Sequence, residues 1–329
     1  MRLGDFPPTG LILDPAAAPL RRLIWLCARE PVEQADLYAL IGEVPPEEVD
    51  AAVARLLEAR VLVTGEELDA LAADAGLSRF ALFLSMFRPA AEVTAALAEL
   101  RRTHVAVLGV GAIGGAVALQ LATGGVGRLT LLDHDRVEVS NLHRQHLYTA
   151  ADVGEPKTAA AARRLRAHRP GVRVTAVERR IAGPGDVVTA ADLVVSTVDT
   201  PRPDVARWVN RACVEAGVPF VTGGFNQHVG LVGPLVVPGK TGCLVCQERS
   251  LAARYGGAEL PLSDNPERVI PAFGPLCQIV SGMLASEVIR YLAGAGAPAV
   301  EGRSVWLDLL TLTTSIREFP RYDGCEVCG

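Results

Sequence analysis

The stretch V-A-V-L-G-V-G-A-I-G-G, Val105–Gly115, decides how this chain folds. Four apolar residues run directly into a turn holding Gly109, Gly111 and Gly114, and a helical pattern, Ala112–Ala122, comes next. A second apolar run, Leu129–Leu132, ends in Asp133, 19 residues after Gly114. Strand, glycine turn, helix, strand and terminal acid make a βαβ unit that binds a nucleotide. Glycine lets the backbone approach phosphate, the helix N-terminus offers N–H donors, and the acid accepts from the ribose hydroxyls.

Working outward, Val172–Val177, Leu193–Ser196 and Phe220–Thr222 read as further strands, with helices at Lys157–His168 and Pro203–Ala216. Apolar strands alternating with helices predict an α/β fold, a doubly wound Rossmann-like sheet that is mostly parallel. After Gly224 the pattern changes. Leu231–Val237, Val305–Leu310 and Thr314–Phe319 read as strands of a second sheet, expected as a C-terminal antiparallel extension, and Pro271–Ala293 as a long helix. Upstream, three helical patterns at Leu20–Cys27, Ala35–Ile41 and Pro45–Arg60 precede a short strand, Val61–Thr64. They predict a small winged-helix-like domain over 1–65, a helical linker over 66–103 and the nucleotide domain over 104–329.

Composition bounds the function. The 329 residues carry a net charge of −5, which argues against nucleic acid as the main partner. No apolar run reaches the ~18 residues of a membrane span, since Ile279–Leu292 is broken by Ser281, Ser286, Glu287 and Arg290. The N-terminus lacks the basic-then-apolar order of a signal peptide. Seven cysteines in a chain this long are not a secreted disulfide scaffold. A cytoplasmic protein is expected.

The residues beyond the ribose acid separate ATP chemistry from dinucleotide chemistry. Asp133, Asp135, Asn141, Arg144, Gln145 and Lys157 form a dense polar cluster. Cations there suit a triphosphate, where charge develops on phosphoryl oxygens and on leaving pyrophosphate. Asp199, in S-T-V-D-T after the Leu193–Ser196 strand, stands at the carboxyl edge of the sheet, where a carboxylate can hold Mg²⁺. Taken singly, Lys157 is a solvated helix start and Asp199 an N-cap; their order along one chain favours the site.

The cysteines add a metal centre. C-L-V-C (Cys243, Cys246) and C-E-V-C (Cys325, Cys328) are two hooks about 80 residues apart, the pattern of a closed structural Zn²⁺ site. Cys27 and Cys213 lie on apolar helix faces, and Cys277 opens the long helix as a packing residue.

L-L-D-H-D-R-V-E-V-S-N-L-H-R-Q, then V-G-E-P-K and S-T-V-D-T, closely resembles the ThiF, MoeB and ubiquitin-activating enzyme superfamily, from about Leu77 onward. The resemblance implies ATP·Mg²⁺ binding and adenylation of a C-terminal carboxylate on a peptide or small protein, in a two-fold homodimer. It assigns the ribose acid to Asp133, phosphate contacts to Asn141, Arg144 and Lys157, and the Mg²⁺-linked acid to Asp199. One motif departs. Where the family often carries R-Y-x-R-Q, with an arginine reaching the partner subunit's ATP, this chain reads Arg79-Phe80-Ala81-Leu82-Phe83. Leu82 stands in that arginine's place, and Arg88 is the nearby alternative.

The segments L-I-L-D-P-A-A-A-P-L-R-R-L-I-W and P-E-E-V-D-A-A-V-A-R-L-L-E-A-R-V-L-V are similar to the leader-peptide recognition (PqqD-like) domains of ribosomal-peptide modifying systems. Those domains add an extended peptide to a sheet edge. A plain helical cap and a DNA-binding winged helix are the alternatives. Glu47, Glu48, Asp50 and Glu58 on the candidate recognition helix weigh against DNA. Three functional classes then compete. The first is an adenylyltransferase acting on a ribosomally made precursor peptide or on a sulfur carrier ending in Gly-Gly. In it the loop Glu248–Ile270, which contains no cysteine, steers the substrate tail past Gly223–Asn226, and the chemistry stops at the acyl-adenylate. The second is a non-catalytic leader-peptide scaffold. The third, an NAD-dependent oxidoreductase, leaves N-L-H-R-Q, G-E-P-K and the cysteine hooks without a role.

Overall fold

The computed structural model describes residues 2–3, 11–12, 18–27, 32–42, 44–254 and 271–329. Two compact units divide the chain, Met1–Ala95 and Ala96–Gly329.

The first unit holds an antiparallel strand pair, β1 (Arg2–Leu3) and β2 (Leu11–Ile12), then α1 (Ala18–Cys27), α2 (Gln34–Ile41) and α3 (Pro46–Glu58). Leu23 and Ile24 of α1, Leu37 and Ile41 of α2, and Val49 and Leu56 of α3 close one apolar cluster. Half-buried Cys27 packs against that cluster. The strand expected at Val61–Thr64 does not form. The Val61 and Leu62 N–H groups bond back to Leu56 O, and Thr64 is consumed in a capping box with Glu67 that starts α4 (Gly65–Ala72). Next come α5 (Ser78–Ser85) and α6 (Ala90–Arg102), the latter running into the second unit.

The second unit is built on β3 (His104–Leu108), α7 (Ala112–Thr123), β4 (Arg128–Asp133), α8 (Lys157–His168), β5 (Arg173–Glu178) and β6 (Leu193–Ser196). It continues with α9 (Asp204–Glu215), β7 (Phe220–Asn226), β8 (Val229–Val236), α10 (Leu244–Arg254), α11 (Gly274–Ala293), β9 (Arg303–Asp308) and β10 (Thr313–Glu318). The sheet order is β10-β9-β8-β7-β6-β3-β4-β5. The five strands β3–β7 are parallel, and β8, β9 and β10 extend the sheet antiparallel.

The C-terminal antiparallel extension is borne out, and its strands continue the first sheet instead of forming a second one. β7 runs past Thr222 to Asn226, and a tight turn with Gln227 at φ 54° returns the chain as β8 on β7's open edge. Helices cover both faces. α7 and α8 pack together on one side, where α11 lies on α7, β7 and β8. On the other, Val205, Val209 and Cys213 of α9 pack with Ala106, Leu108, Val194 and Phe220. α11 has the length and composition of a membrane span, but half of it is buried in this core. Its first turn starts at Gly274 instead of Pro271, with Pro275 preset for a first-turn position.

Candidate active site

The glycine turn follows β3 directly. Gly109 adopts φ +80°, a conformation that excludes most side chains. Its N–H donates to Leu132 O at 2.8 Å, tying the turn to the end of β4. Gly114 serves closeness: a Cβ there would lie 1.9 Å from Gly109 O and 2.5 Å from Thr197 Oγ1. Helix α7 can approach the turn only because position 114 has no side chain. The same Thr197 hydroxyl donates to Gly109 O at 2.9 Å, so the end of β6 clamps the turn from the opposite flank.

Asp133 ends β4 and is 8% exposed. Its Oδ2 accepts the Val110 N–H at 2.8 Å and its Oδ1 accepts the Asp135 N–H at 2.9 Å. The carboxylate thus fixes the turn while its remaining lone pairs stay available to ribose hydroxyls.

Lys157 is brought in by the G-E-P-K segment. The Gly154 N–H bonds to Val137 O, the Val137 N–H to Glu155 O, and the Lys157 N–H to Asp135 O. These contacts seat the first residue of α8 beside the post-strand loop. Lys157 is 5% exposed, and its Nζ donates to Asp135 Oδ2 at 2.7 Å. A buried ammonium held by one carboxylate near a phosphate-type turn is a ready anion contact.

Asn141 and Gln145 lie on the other side of the loop. Buried Asn141 accepts the Glu138 N–H through Oδ1. Gln145, also buried, lies against the turn, its Nε2 3.7 Å from where a Cβ of Gly111 would stand. Gln145 Oε1 is buried and, among the described residues, has no hydrogen-bond partner. Such an orphan is the mark of a position completed by ligand or water. Arg144 Nη1 donates to Ser140 O at 2.8 Å. Gly274, opening α11, packs on the His143 carbonyl and the Arg144 Cα.

Asp199 lies beyond β6, two residues after Thr197. Its side chain is 62% exposed and pairs with Arg202 Nη2 at 2.9 Å. An open carboxylate at the sheet's carboxyl edge is a hard oxygen donor of the kind Mg²⁺ takes. Arg79 and Leu82 lie on α5, in the other unit, and Arg88 Nε pairs with Glu92 at 3.1 Å. Most of the expected substrate loop, residues 255–270, lies outside the described residues; Glu248–Arg254 is helical, within α10.

Cys243, Cys246, Cys325 and Cys328 converge, with all four sulfurs within 4.8 Å of one another. Cys243 Sγ is 3.7 Å from Cys325 Sγ, and Cys246 Sγ is 3.6 Å from Cys328 Sγ. Four thiolates at about 2.3 Å from one ion in a tetrahedron stand about 3.8 Å apart, so the residues fit Zn²⁺. Burial pushes the Cys243 thiol up and Cys328 to about 12. At Cys325 the burial cost is outweighed by N–H donation from Val327 and Cys328 and by the neighbouring thiols, holding it at about 7. Cys277 is fully buried and its thiol is raised by burial, which suits packing and not nucleophilic chemistry. Buried Cys213 is pushed to about 12 by the same cause.

Four contributors have no role assigned from the sequence, Thr197 among them although it lies inside S-T-V-D-T. Tyr148 and Thr197 hold the carbonyls of the glycine turn, Arg202 pairs Asp199, and Asn210 on α9 accepts the Leu244 N–H beside the cysteine cluster. Tyr148, Arg202 and Asn210 are single polar side chains with no spacing signature.

A model of the ThiF family matches residues 85–327. Over 245 residues the chain is 33% identical to the sulfur carrier protein ThiS adenylyltransferase of Escherichia coli (strain K12), covering 70% of this chain and 88% of that protein. It is 32% identical to the molybdopterin-synthase adenylyltransferase of the same organism over 234 residues, again 70% and 88%. Among solved structures, E. coli MccB with ATP superposes with a TM-score of 0.83 at 24% identity, covering 98% of this chain and 94% of that one. The microcin C7 biosynthetic enzyme MccB in complex with N-formylated MccA gives 0.83 at 25% identity over the same shares. The chain therefore belongs to the ThiF family, as an adenylyltransferase of the ThiF and MoeB type.

Proposed function

We propose that this chain adenylates the C-terminal carboxylate of a ribosomally made precursor peptide, with ATP as co-substrate and pyrophosphate as by-product. The carrying observation is extent. The likeness to the microcin C7 biosynthetic enzyme MccB in complex with N-formylated MccA covers 98% of this chain, whereas the sulfur carrier protein ThiS adenylyltransferase covers 70%. The part outside residues 85–327, which the ThiF family model matches, includes a short strand pair and a three-helix core. A strand pair has an open edge to which an extended peptide can add, and this supports a leader-binding role for residues 1–65.

In this reading a carboxylate oxygen of the peptide attacks the α-phosphorus. The bond from that phosphorus to the bridging oxygen breaks, and pyrophosphate leaves with the electron pair, yielding an acyl-adenylate. No proton moves at the carboxylate. Asp133 accepts from the ribose, and Gly109, Gly111 and Gly114 let the backbone approach the phosphates. Arg144 and Lys157 offset charge on the phosphoryl oxygens, with Lys157 shared between phosphate and Asp135. Asn141 and Gln145 orient the chain of phosphates. Asp199 would hold Mg²⁺, which when bound neutralises phosphate charge. The four cysteines would hold a structural Zn²⁺ joining the C-terminal tail to α10. The working form is a homodimer in the cytoplasm.

A second reading is favoured by the higher sequence identity to sulfur carrier protein adenylyltransferases: activation of a small protein ending in Gly-Gly. Pyrophosphate release, measured with ATP and either a cognate precursor peptide or a Gly-Gly-ended carrier, separates the two. Release with the peptide that is abolished in Asp199→Ala supports the first. Release with the carrier alone overturns it, and release with neither returns the chain to the scaffold reading.

A further inference from the structure

We propose that Tyr148 is a positioning residue for ATP: its hydroxyl ties the glycine turn to the segment carrying Lys157, and so sets the spacing between phosphate-binding backbone and ammonium. The proposal rests on this chain's use of ATP. Tyr148 is 4% exposed. Its hydroxyl donates to Val110 O at 2.6 Å and lies 3.3 Å from Lys157 O. Val110 is the residue between Gly109 and Gly111, and its N–H is already held by the Asp133 carboxylate. One residue of the turn is thus fixed at its N–H by the ribose acid and at its C=O by Tyr148.

Lys157 is fixed in a parallel way. Its N–H bonds to Asp135 O, its ammonium to Asp135 Oδ2, and its carbonyl faces the Tyr148 hydroxyl. Tyr148 is itself anchored, its N–H bonding to Gln145 O at 3.1 Å. One buried hydroxyl therefore touches the glycine turn and the lysine segment while its backbone continues the N-L-H-R-Q loop. The phenol is a permanent donor. Burial, with the nearby carboxylates of Asp133, Asp152 and Asp135, pushes its pKa far above the ordinary tyrosine range. Aromatic packing alone would not require this hydroxyl, and a fully buried one is retained at a cost unless it is bonded.

Replacing Tyr148 by Phe keeps the ring and its packing and removes one oxygen, so the variant folds. The Val110 carbonyl then loses its clamp. Losing the one hydrogen bond that holds the turn in its binding geometry predicts about tenfold weaker binding. The test is calorimetric titration of the full-length chain with a non-hydrolysable ATP analogue, alongside melting curves. Tyr148→Phe is expected to weaken the analogue's Kd about tenfold. Cys213→Ala, a buried change on α9, serves as a stability control: it lowers Tm and leaves that Kd unchanged. A Tyr148→Phe Kd within twofold of wild type overturns the proposal. So does an equal weakening in Cys213→Ala, which would reduce the effect to stability. A wild-type chain that binds no analogue overturns the nucleotide site and the proposal together.

Discussion

Gly111 and Gly114 belong to one motif but are glycine for different reasons, and two substitutions separate them. In Gly114→Ala the new methyl would sit 1.9 Å from Gly109 O, where ordinary contact begins at 3.4 Å. The obstacle is backbone, so α7 and the turn must move apart whether or not nucleotide is bound. Overpacking of this kind costs about 1–3 kcal/mol. At about 2 kcal/mol, a unit of this size loses roughly 4–8 °C in Tm. In Gly111→Ala the methyl meets only Gln145 Nε2, at 3.7 Å, so the free protein should melt within about 2 °C of wild type. Its cost appears with ligand, because a side chain there occupies the space a phosphate needs; ATP affinity should fall about tenfold or more. Thermal melts of the free proteins and calorimetric titration with ATP read both effects. A Gly114→Ala protein with wild-type Tm, or a Gly111→Ala protein with wild-type ATP affinity, would refute the division of labour.

Other perturbations read other parts of the site. Lys157→Ala removes the buried ammonium and leaves half-exposed Asp135 to water; pyrophosphate release should drop about 10²–10³-fold with little change in Tm, and a drop below fivefold would remove Lys157 from the phosphate contacts. The four-cysteine site predicts one zinc per chain by elemental analysis, with metal content lost in Cys325→Ser and Tm lowered by chelator; protein purified without chelator that carries no metal contradicts it. Asp152 is buried between Arg163 and Arg164. Burial alone would raise its pKa, but the Thr149 N–H, the Thr149 hydroxyl and the two guanidinium groups hold it at about 2. A folded pKa below the unfolded ~3.9 means its contribution is present above about pH 4 and fades as pH falls toward 2. Asp152→Asn should therefore lower stability at pH 7 by about 1–3 kcal/mol and flatten the acid limb, and melting curves parallel to wild type between pH 4 and 2 would exclude the carboxylate as its source.

The strands of the βαβ core were legible because a strand buried on both faces leaves no room for polar residues. Val105–Leu108 and Leu193–Ser196 announce themselves as apolar runs, and Lys157–His168 begins where Pro156 permits a helix to begin. Val61–Thr64 misleads for the opposite reason: three apolar residues look like a strand, but the capping chemistry of Thr64 and Glu67 claims the backbone first. The extent of the sheet was hidden as well. Whether β8–β10 stack as a second layer or continue the first depends on the turn at Gln227, a two-residue event with no hydrophobic signature.

Residue type and spacing point to the proposed chemistry: glycines 109, 111 and 114, Asp133, the N-L-H-R-Q and G-E-P-K segments, and two cysteine hooks can be read directly from the chain. How those groups are held becomes visible only in the tertiary structure. It showed that Asp133 is bound to the turn it serves, that Lys157 is buried against Asp135, and that Tyr148 and Thr197 clamp different carbonyls of one loop. It also showed that four sulfurs from hooks far apart in sequence meet at metal-binding distances. Spacing along a chain reports which groups a local turn can bring together. A hydroxyl aimed at a carbonyl from another segment depends on the packing of both, and that exists only once the chain is folded.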